Sequence, residues 1–290
     1  MKGILLAGGT GTRLYPMTRA FSKHLLPVYD KPMLYYPLSM LMLLGIRDII
    51  IISTAHDEPL YKDIFGDGSR LGIKITYKIQ DKPQGIAQAF HLSYDQFHGN
   101  KVCMILGDNI FYIPNYKQFF AESISMNEGA NIFGYRVQDP QRYGVVEVDE
   151  NNMAIKIEEK PLKPRSNLAV PGMYFYDKNV FEYAKNLKLS ARGELEITDI
   201  NNIYLEKKQL SVKVMGRGCI WLDSGTSDSL LESSHLIQTI EKRQVIKIAC
   251  LEEIALNMGY ISKDEIKKWV NSFKSASTYM QYLKNLTNNW

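Results

Sequence analysis

Residues 2 to 7 form a short, almost wholly apolar run that empties directly into Gly8-Gly9-Thr10-Gly11-Thr12-Arg13. An apolar run of this length reads as a buried strand, and the glycines behind it mark a loop at the strand's carboxyl end, where open α/β sheets bind their ligands. Two common phosphate-binding patterns fail on spacing. No Gly-Lys-Ser/Thr follows, as a P-loop requires, and Leu14 stands at the third glycine of G-x-G-x-x-G. Small and hydroxyl residues ahead of an arginine still let backbone N–H groups approach phosphate oxygens, while Arg13 adds a rigid two-pronged donor. The loop therefore reads as a triphosphate cradle of a third kind.

The rhythm behind that loop fixes the fold class. Apolar residues recur at helical spacing over 31–45 and stop at Gly45, then 48–53 is a β-branched run. Residues 73–79 read as a strand, 86–97 as a helix, and 102–106 as a strand that ends at Gly107-Asp108-Asn109. Strands alternating with helices predict a parallel, doubly wound sheet covered on both faces. After about residue 130 the pattern shortens: 131–137, 144–148, 154–159 and 169–176 read as strands, with a polar turn at 149–152. Helices are predicted over 179–187 and 197–207, then a strand and loop over 216–225, and helices to the end. Ser262 with Glu265 three residues on predicts a capping box that opens a helix running to about residue 273.

Composition narrows the function classes. With 45% apolar and 23% charged residues among 290, the chain is an ordinary folded protein. Its 35 Lys and Arg against 31 Asp and Glu leave +4, dispersed rather than striped, so no nucleic-acid partner is expected. No apolar stretch approaches the roughly 18 residues of a membrane helix, and the start lacks the pattern of a signal peptide. Cys103, Cys219 and Cys250 are odd in number and far apart, which predicts reduced thiols and a cytoplasmic location.

The run Leu6-Ala7-Gly8-Gly9-Thr10-Gly11-Thr12-Arg13-Leu14-Tyr15-Pro16, continued through Ser22-Lys23 to Leu26-Pro27-Val28-Tyr29-Asp30-Lys31-Pro32-Met33, closely resembles the sugar-nucleotide pyrophosphorylases. The resemblance extends through Gln80, Pro83 and Gly85, Ala87-Gln88-Ala89, Leu106-Gly107-Asp108-Asn109, Tyr143-Gly144-Val145-Val146, Glu158-Glu159-Lys160-Pro161, Gly193-Glu194-Leu195-Glu196-Ile197-Thr198-Asp199 and Trp221-Leu222-Asp223. It covers essentially the whole chain. The segment Tyr29-Asp30-Lys31-Pro32-Met33-Leu34-Tyr35-Tyr36-Pro37 fits the thymidylyl-transferring members better than the uridylyl- or adenylyl-transferring ones. The resemblance implies a Rossmann-like nucleotidyltransferase core, an α/β fold with a doubly wound, mixed and mostly parallel sheet, a small β-hairpin sugar-binding part and C-terminal helices. It implies a catalytic domain over 1–226, mainly nucleotide-binding over 1–130 and mainly sugar-binding over 131–226, and a helical oligomerisation and regulatory segment over 227–290.

The implied reaction is dTTP with glucose 1-phosphate giving dTDP-glucose and pyrophosphate, with Mg²⁺ as cofactor. A sugar phosphate oxygen must attack the α-phosphorus in line, so cations and metal have to dominate the site. By resemblance, Arg13 clamps the leaving phosphates, Lys23 polarises the phosphoryl groups and Lys160 holds the sugar phosphate. Asp108 and Asp223, each behind an apolar strand, are the implied metal ligands, and hard carboxylate oxygens suit Mg²⁺. The implied nucleotide contacts are Leu6, Gly8, Gly9, Thr10, Gly11, Thr12, Arg13, His24, Gln80, Pro83, Gly85 and Asp108. Gln80, with both donor and acceptor, can pair with a pyrimidine edge, and Gly85 would let the backbone approach the ring. The implied sugar-phosphate contacts are Asn109, Tyr143, Gly144, Glu159, Lys160 and Val170.

The departure from the family pattern that matters is at position 24, where glutamine usually follows the Ser-Lys pair and here it is His24; Asp81-Lys82 also replace the small and proline residues common between Gln80 and Pro83, as loop positions neutral in effect. A titratable imidazole near phosphates is expected to charge below about pH 7 and strengthen nucleotide binding. The resemblance also implies a homotetramer with a second nucleotide site, where the pathway end product, dTDP-rhamnose, inhibits. Arg217, between Gly216 and Gly218, and Glu253 are the candidate contacts there. A catalytically silent nucleotide-sugar sensor is the reading from another class, and the presence of Arg13, Lys23, Asp108 and Asp223 together favours an enzyme.

Overall fold

The structure is a computed structural model that describes residues 1–9, 11–151, 153–272 and 277–288. Its N-terminal half comprises β1 (Lys2–Leu6), a short hairpin β2 (Pro27–Val28) and β3 (Lys31–Pro32), α1 (Tyr35–Leu43), β4 (Asp48–Ser53), α2 (Glu58–Phe65), β5 (Lys74–Ile79), α3 (Gln88–Phe97) and β6 (Val102–Leu106). Then follow β7 (Asn109–Tyr112), α4 (Tyr116–Ser125), β8 (Ala130–Arg136), β9 (Gly144–Val148), β10 (Ala154–Glu159), β11 (Leu168–Ala169) and β12 (Met173–Tyr176). The chain closes with α5 (Val180–Lys185), α6 (Ile197–Glu206), β13 (Leu210–Val214), β14 (Ile220–Asp223), α7 (Ser227–Gln244), α8 (Leu251–Asn257), α9 (Lys263–Ser272) and α10 (Thr278–Asn288).

One ten-stranded mixed sheet organises these elements, in the order β10-β9-β11-β8-β12-β6-β1-β4-β5, with β13 paired to β8. The pairs β6–β1, β1–β4 and β4–β5 are parallel, as helix crossovers demand, and so is β13–β8. From β12 outward along the path the pairing is antiparallel. The change of pairing falls beside β6, at whose end Asp108 stands.

Alternation along the central strands explains the two-faced core. Leu5, Ile49, Ile51 and Cys103 pack on one face, and Ile4, Ile50, Ile52 and Met104 on the other, all fully buried. α1 is apolar around most of its circumference, as a helix buried between two layers must be. It packs against β1 and β6 on one side and α8 on the other. On the opposite face α3 and α5 pack together, and Phe90, Phe181 and Tyr176 meet edge to face.

The structure adjusts several expected elements. The helix expected from residue 31 starts at Tyr35, because Lys31 and Pro32 pair with Pro27 and Val28 as a hairpin. The single strand expected over 169–176 is split at Val170-Pro171-Gly172, since proline cannot donate to a ladder. The capping box is formed: Ser262 N–H donates to Glu265 Oε2 at 2.8 Å and Glu265 N–H to Ser262 Oγ at 3.3 Å. The expected end of that helix, Phe273, and Asn152 of the 149–152 turn lie outside the described residues.

Candidate active site

The carboxyl ends of β1 and β6 open into a cavity of about 560 Å³. Leu6, Gly8, Arg13, Lys23 and His24 line it from the N-terminal side, and Asp108, Asn109 and Asp223 from its floor. Tyr143, Gly144, Glu159, Lys160 and Val170 line the far side, on the antiparallel strands. The two groups of residues quoted for phosphates and for sugar thus face one another across a single space. Gly9, Gly11 and Thr12 belong to the loop without lining the cavity, and Thr10 lies outside the described residues.

Asp223 reaches Asp108 through strand pairing. β14 runs antiparallel to β7, setting Asp223 opposite Asn109, and Ser224 N–H donates to the Asp108 carbonyl at 3.0 Å. Lys23 Nζ forms an ion pair with Asp108 Oδ2. Burial opposes charge on Asp108, yet Lys23 and the Asn109 amide hold its carboxyl well below the usual range. Asp223 is pushed the other way, first by burial and then by the charge of Asp108, with Arg13, Lys23 and Arg142 offsetting part of the rise. The cations serve the two carboxylates unequally: Lys23 closes on Asp108, while no ion pair closes on Asp223 among the described residues.

Asn109 is the pivot of the floor. Its Oδ1 accepts from Trp221 Nε1 at 2.6 Å and from Gly172 N–H at 2.9 Å, while its Nδ2 donates to Asp108 Oδ1 at 2.9 Å. One amide therefore fixes the orientation of the acid, the indole and the break between β11 and β12. Across the cavity, Glu159 Oε2 accepts from Thr198 Oγ1 at 2.6 Å, and Arg192 lies 3.4 Å from Oε1. Lys160 Nζ is 3.8 Å from the same carboxylate, and its backbone has a positive φ of 43°, a strained value for a lysine. The Tyr143 ring packs edge to face on Trp221 at 5.1 Å and still borders the cavity, so it has both a packing role and an exposed edge.

The titration expected of His24 is corrected. The ring is only 1% exposed, and burial, followed by the Lys23 charge, takes its pKa down from 6.5 to about 3. It is neutral at neutral pH, and no charging near pH 7 occurs. Gln80 and Gly85 stand outside the cavity lining. Gln80 is buried behind the glycine loop, with Nε2 donating to Gln88 Oε1 at 2.7 Å and Oε1 where a Cβ on Gly8 would collide with it. Gly85, at φ 102°, packs against the backbone of Leu195, and that close approach excludes a side chain. Pro83 is likewise outside the cavity lining.

Arg217 is exposed in the turn between β13 and β14, and Glu253 on α8 accepts from Tyr282 Oη of α10 at 2.9 Å. Neither lines the cavity.

Residues 2–240 match a protein-family model described as nucleotidyl transferase. The chain belongs to the nucleotidyl transferase family. It is 53% identical over 287 residues to the glucose-1-phosphate thymidylyltransferase of Neisseria gonorrhoeae, covering 99% of each chain. It is 49% identical over 286 residues to the glucose-1-phosphate thymidylyltransferase of Mycobacterium tuberculosis, again over 99% of each. Its fold is similar to a solved structure of a provisionally assigned glucose-1-phosphate thymidylyltransferase from Bacillus anthracis in complex with a sucrose. That likeness has a TM-score of 0.76 and 45% identity, over 81% of this chain and 94% of the other. A likeness to a UDP-glucose pyrophosphorylase, with a TM-score of 0.72 and 20% identity, extends to the fold.

For a nucleotidyltransferase the donor set can be tested against a divalent cation, which the family generally uses. Among the described residues no cluster of three or more His, Cys, Asp or Glu side chains forms an all-protein cage. The Asp108–Asp223 pair offers hard oxygens on one side only, which fits an ion that completes its shell with phosphate oxygens and water. The cavity also recruits Arg142, Tyr174, Thr198, Asn201 and Trp221, which sequence reasoning did not assign. Thr198 and Trp221 stood inside quoted motifs, and Arg142 directly precedes one. Asn201 and Tyr174 carried no signal, because a helix residue and a strand aromatic look like core.

Proposed function

We propose that this nucleotidyltransferase transfers a thymidylyl group from dTTP to glucose 1-phosphate, releasing pyrophosphate and dTDP-glucose. The observation that carries the reading is that Asp108 and Asp223, brought to one place by the β7–β14 pairing, line a single cavity together with the residues quoted for nucleotide and for sugar. Full-length relatives near 50% identity with that named activity support it. In this reading residues 1–226 form the catalytic unit, with 1–130 serving mainly the nucleotide and 131–226 mainly the sugar. Residues 227–290 join subunits of a homotetramer. The free state of Cys103, Cys219 and Cys250 supports a cytoplasmic location, and among the described residues no helix is long and apolar enough to cross a membrane.

Arg13 clamps the β- and γ-phosphates as they leave, and Lys23, held by Asp108, polarises the phosphoryl oxygens. Lys160 holds the phosphate of the incoming sugar while Glu159, kept in place by Thr198, accepts hydrogen bonds from its hydroxyls. Tyr143, Gly144 and Val170 shape that end, and Asn109 holds Asp108 in register. Gln80, oriented by Gln88, presents its carbonyl beneath the loop toward the base. Asp108 and Asp223 would hold Mg²⁺, which when bound supplies neutralisation of the phosphate charge. A sugar phosphate oxygen then forms the new bond to the α-phosphorus as the bridging oxygen departs with pyrophosphate. Residues Arg217 and Glu253 belong to a second, regulatory nucleotide-sugar site in this proposal.

The test is to incubate the chain with dTTP, glucose 1-phosphate and Mg²⁺ and to follow dTDP-glucose by chromatography, with and without a chelator. Product that appears only with metal is expected. Failure to form it with metal present would reject the reading.

A further inference from the structure

Of the five histidines, His24 alone lines the cavity. Its ring is gripped from behind by two buried hydroxyls. Ser22 Oγ lies 2.9 Å from His24 Nδ1, and the same oxygen accepts the Tyr61 Oη–H at 2.9 Å and the His24 backbone N–H at 3.4 Å. Tyr61 comes from α2 and lies outside the cavity lining. A serine hydroxyl has two acceptor positions and one proton. With both acceptor positions taken, its proton goes to Nδ1, and a neutral imidazole then carries its own hydrogen on Nε2. Among the described residues that nitrogen has no protein partner, and it borders Gly107, where an added Cβ would lie 3.0 Å from it, one residue before Asp108.

We infer that Tyr61 and Ser22 are positioning residues that fix His24 as the Nε2–H tautomer, so that an uncharged ring donates a hydrogen bond to a phosphate oxygen of the bound nucleotide. The inference rests on the nucleotide-binding reading above. Its gain is directional: a neutral imidazole presents either a donor or a lone pair, and only the donor suits a polyanion. The opposite chain would run from Nδ1–H to Ser22, from Ser22 to Tyr61 and from Tyr61 to the Ala7 carbonyl at 3.3 Å. It would turn a lone pair toward the phosphates.

The experiment is a ¹⁵N spectrum of the full-length chain with labelled histidine, joined to nucleotide kinetics. For His24 a protonated Nε2 and a bare, hydrogen-bonded Nδ1 are expected. Tyr61→Phe and Ser22→Ala should each let the two tautomers mix and raise the KM for dTTP about five-fold with little change in kcat, the scale of one net hydrogen bond. In a His24→Gln background, whose amide always offers a donor, neither change should raise KM further. A protonated Nδ1 in the wild-type spectrum would overturn the inference, and so would a KM penalty that persists undiminished in the glutamine background. A chain that turned over no nucleotide would reject the functional reading while the spectrum still decided the tautomer.

Discussion

Two groups of four charges can be set side by side in this molecule, and each holds two cations and two carboxylates. Asp30, Lys31, Glu241 and Lys247 lie where the β2–β3 turn meets the end of α7 and the segment after it. Lys31 pairs with Asp30 and with Glu241 at 2.9 Å, and Lys247 pairs with Asp30 and with Glu241 at 2.7 Å. Ile248 N–H also donates to Glu241 Oε1 at 2.9 Å, so each carboxylate oxygen has a partner. Arg13, Lys23, Asp108 and Asp223 are the same inventory arranged openly. Lys23 closes on Asp108, no ion pair closes on Asp223 among the described residues, and the cavity lies between them. A closed ring of charge holds the β2–β3 hairpin to α7 and the segment that follows it. An open one leaves a demand that substrate and metal can meet.

The largest expected effect lies in the closed cluster. Glu241→Gln leaves Lys31, 4% exposed, with one partner fewer, and should lower the unfolding free energy by about 3 kcal/mol, within the range for breaking a buried pair. Denaturant titration checks it. A loss under about 1 kcal/mol would mean that the ring is not the closed device described here.

The open cluster should respond chiefly in turnover. Asp108→Asn and Asp223→Asn should each slow product formation by at least about 10²-fold; the denaturation midpoint should hold close to wild type for Asp223→Asn, which breaks no ion pair among the described residues, and fall for Asp108→Asn, which leaves Lys23 without its partner. Near-normal rates for both variants at saturating Mg²⁺ would remove the metal assignment.

His24 sharpens the comparison, because it is a buried titratable group with no charge partner to lose. Its folded pKa is depressed to about 3, so below about 6.5 the unfolded chain takes up a proton that the folded chain refuses. Stability is complete above about pH 6.5 and falls with pH toward about 3, by up to about 1.4 kcal/mol per pH unit from this group. Unfolding curves collected from neutral to mildly acidic pH should therefore slope less steeply for His24→Gln than for wild type. Parallel slopes would place the ring in contact with solvent.

Much of this was legible in the sequence, for a physical reason that varies by region. Strands such as Val102–Leu106 and Gly144–Val148 were readable to the residue, because an apolar run or an alternating hairpin is its own signal. α2 and α4 escaped notice, since at eight and ten residues they are shorter than the stretch over which a helical period declares itself. Of the site, the residues in motifs gathered as expected: Arg13, Lys23, Asp108 and Asp223 meet in one cavity although 210 positions separate the first from the last (223 minus 13). What chemistry His24 offers was not legible, because its charge depends on burial and its hydrogen-bond direction on Tyr61, 37 residues away.

The smallest expected effect belongs to Arg217, which is exposed and lines no part of the cavity. Arg217→Ala should change stability by less than about 0.5 kcal/mol and leave the uninhibited rate nearly intact, while weakening inhibition by a nucleotide sugar. Calorimetry that finds one site per chain, with purely competitive inhibition unchanged in the variant, would remove the proposed regulatory site.

In the proposed reaction the open cluster passes the thymidylyl group of dTTP to a sugar phosphate and releases pyrophosphate. Pyrophosphate release measured with glucose 1-phosphate and Mg²⁺ against dTTP, UTP, ATP and GTP in turn tests it most directly. Fastest release is predicted with dTTP, with none when Asp223 is replaced by asparagine beyond about one hundredth of the wild-type rate. Release that favours a purine nucleotide, or that is absent with dTTP while another triphosphate turns over, would contradict the account.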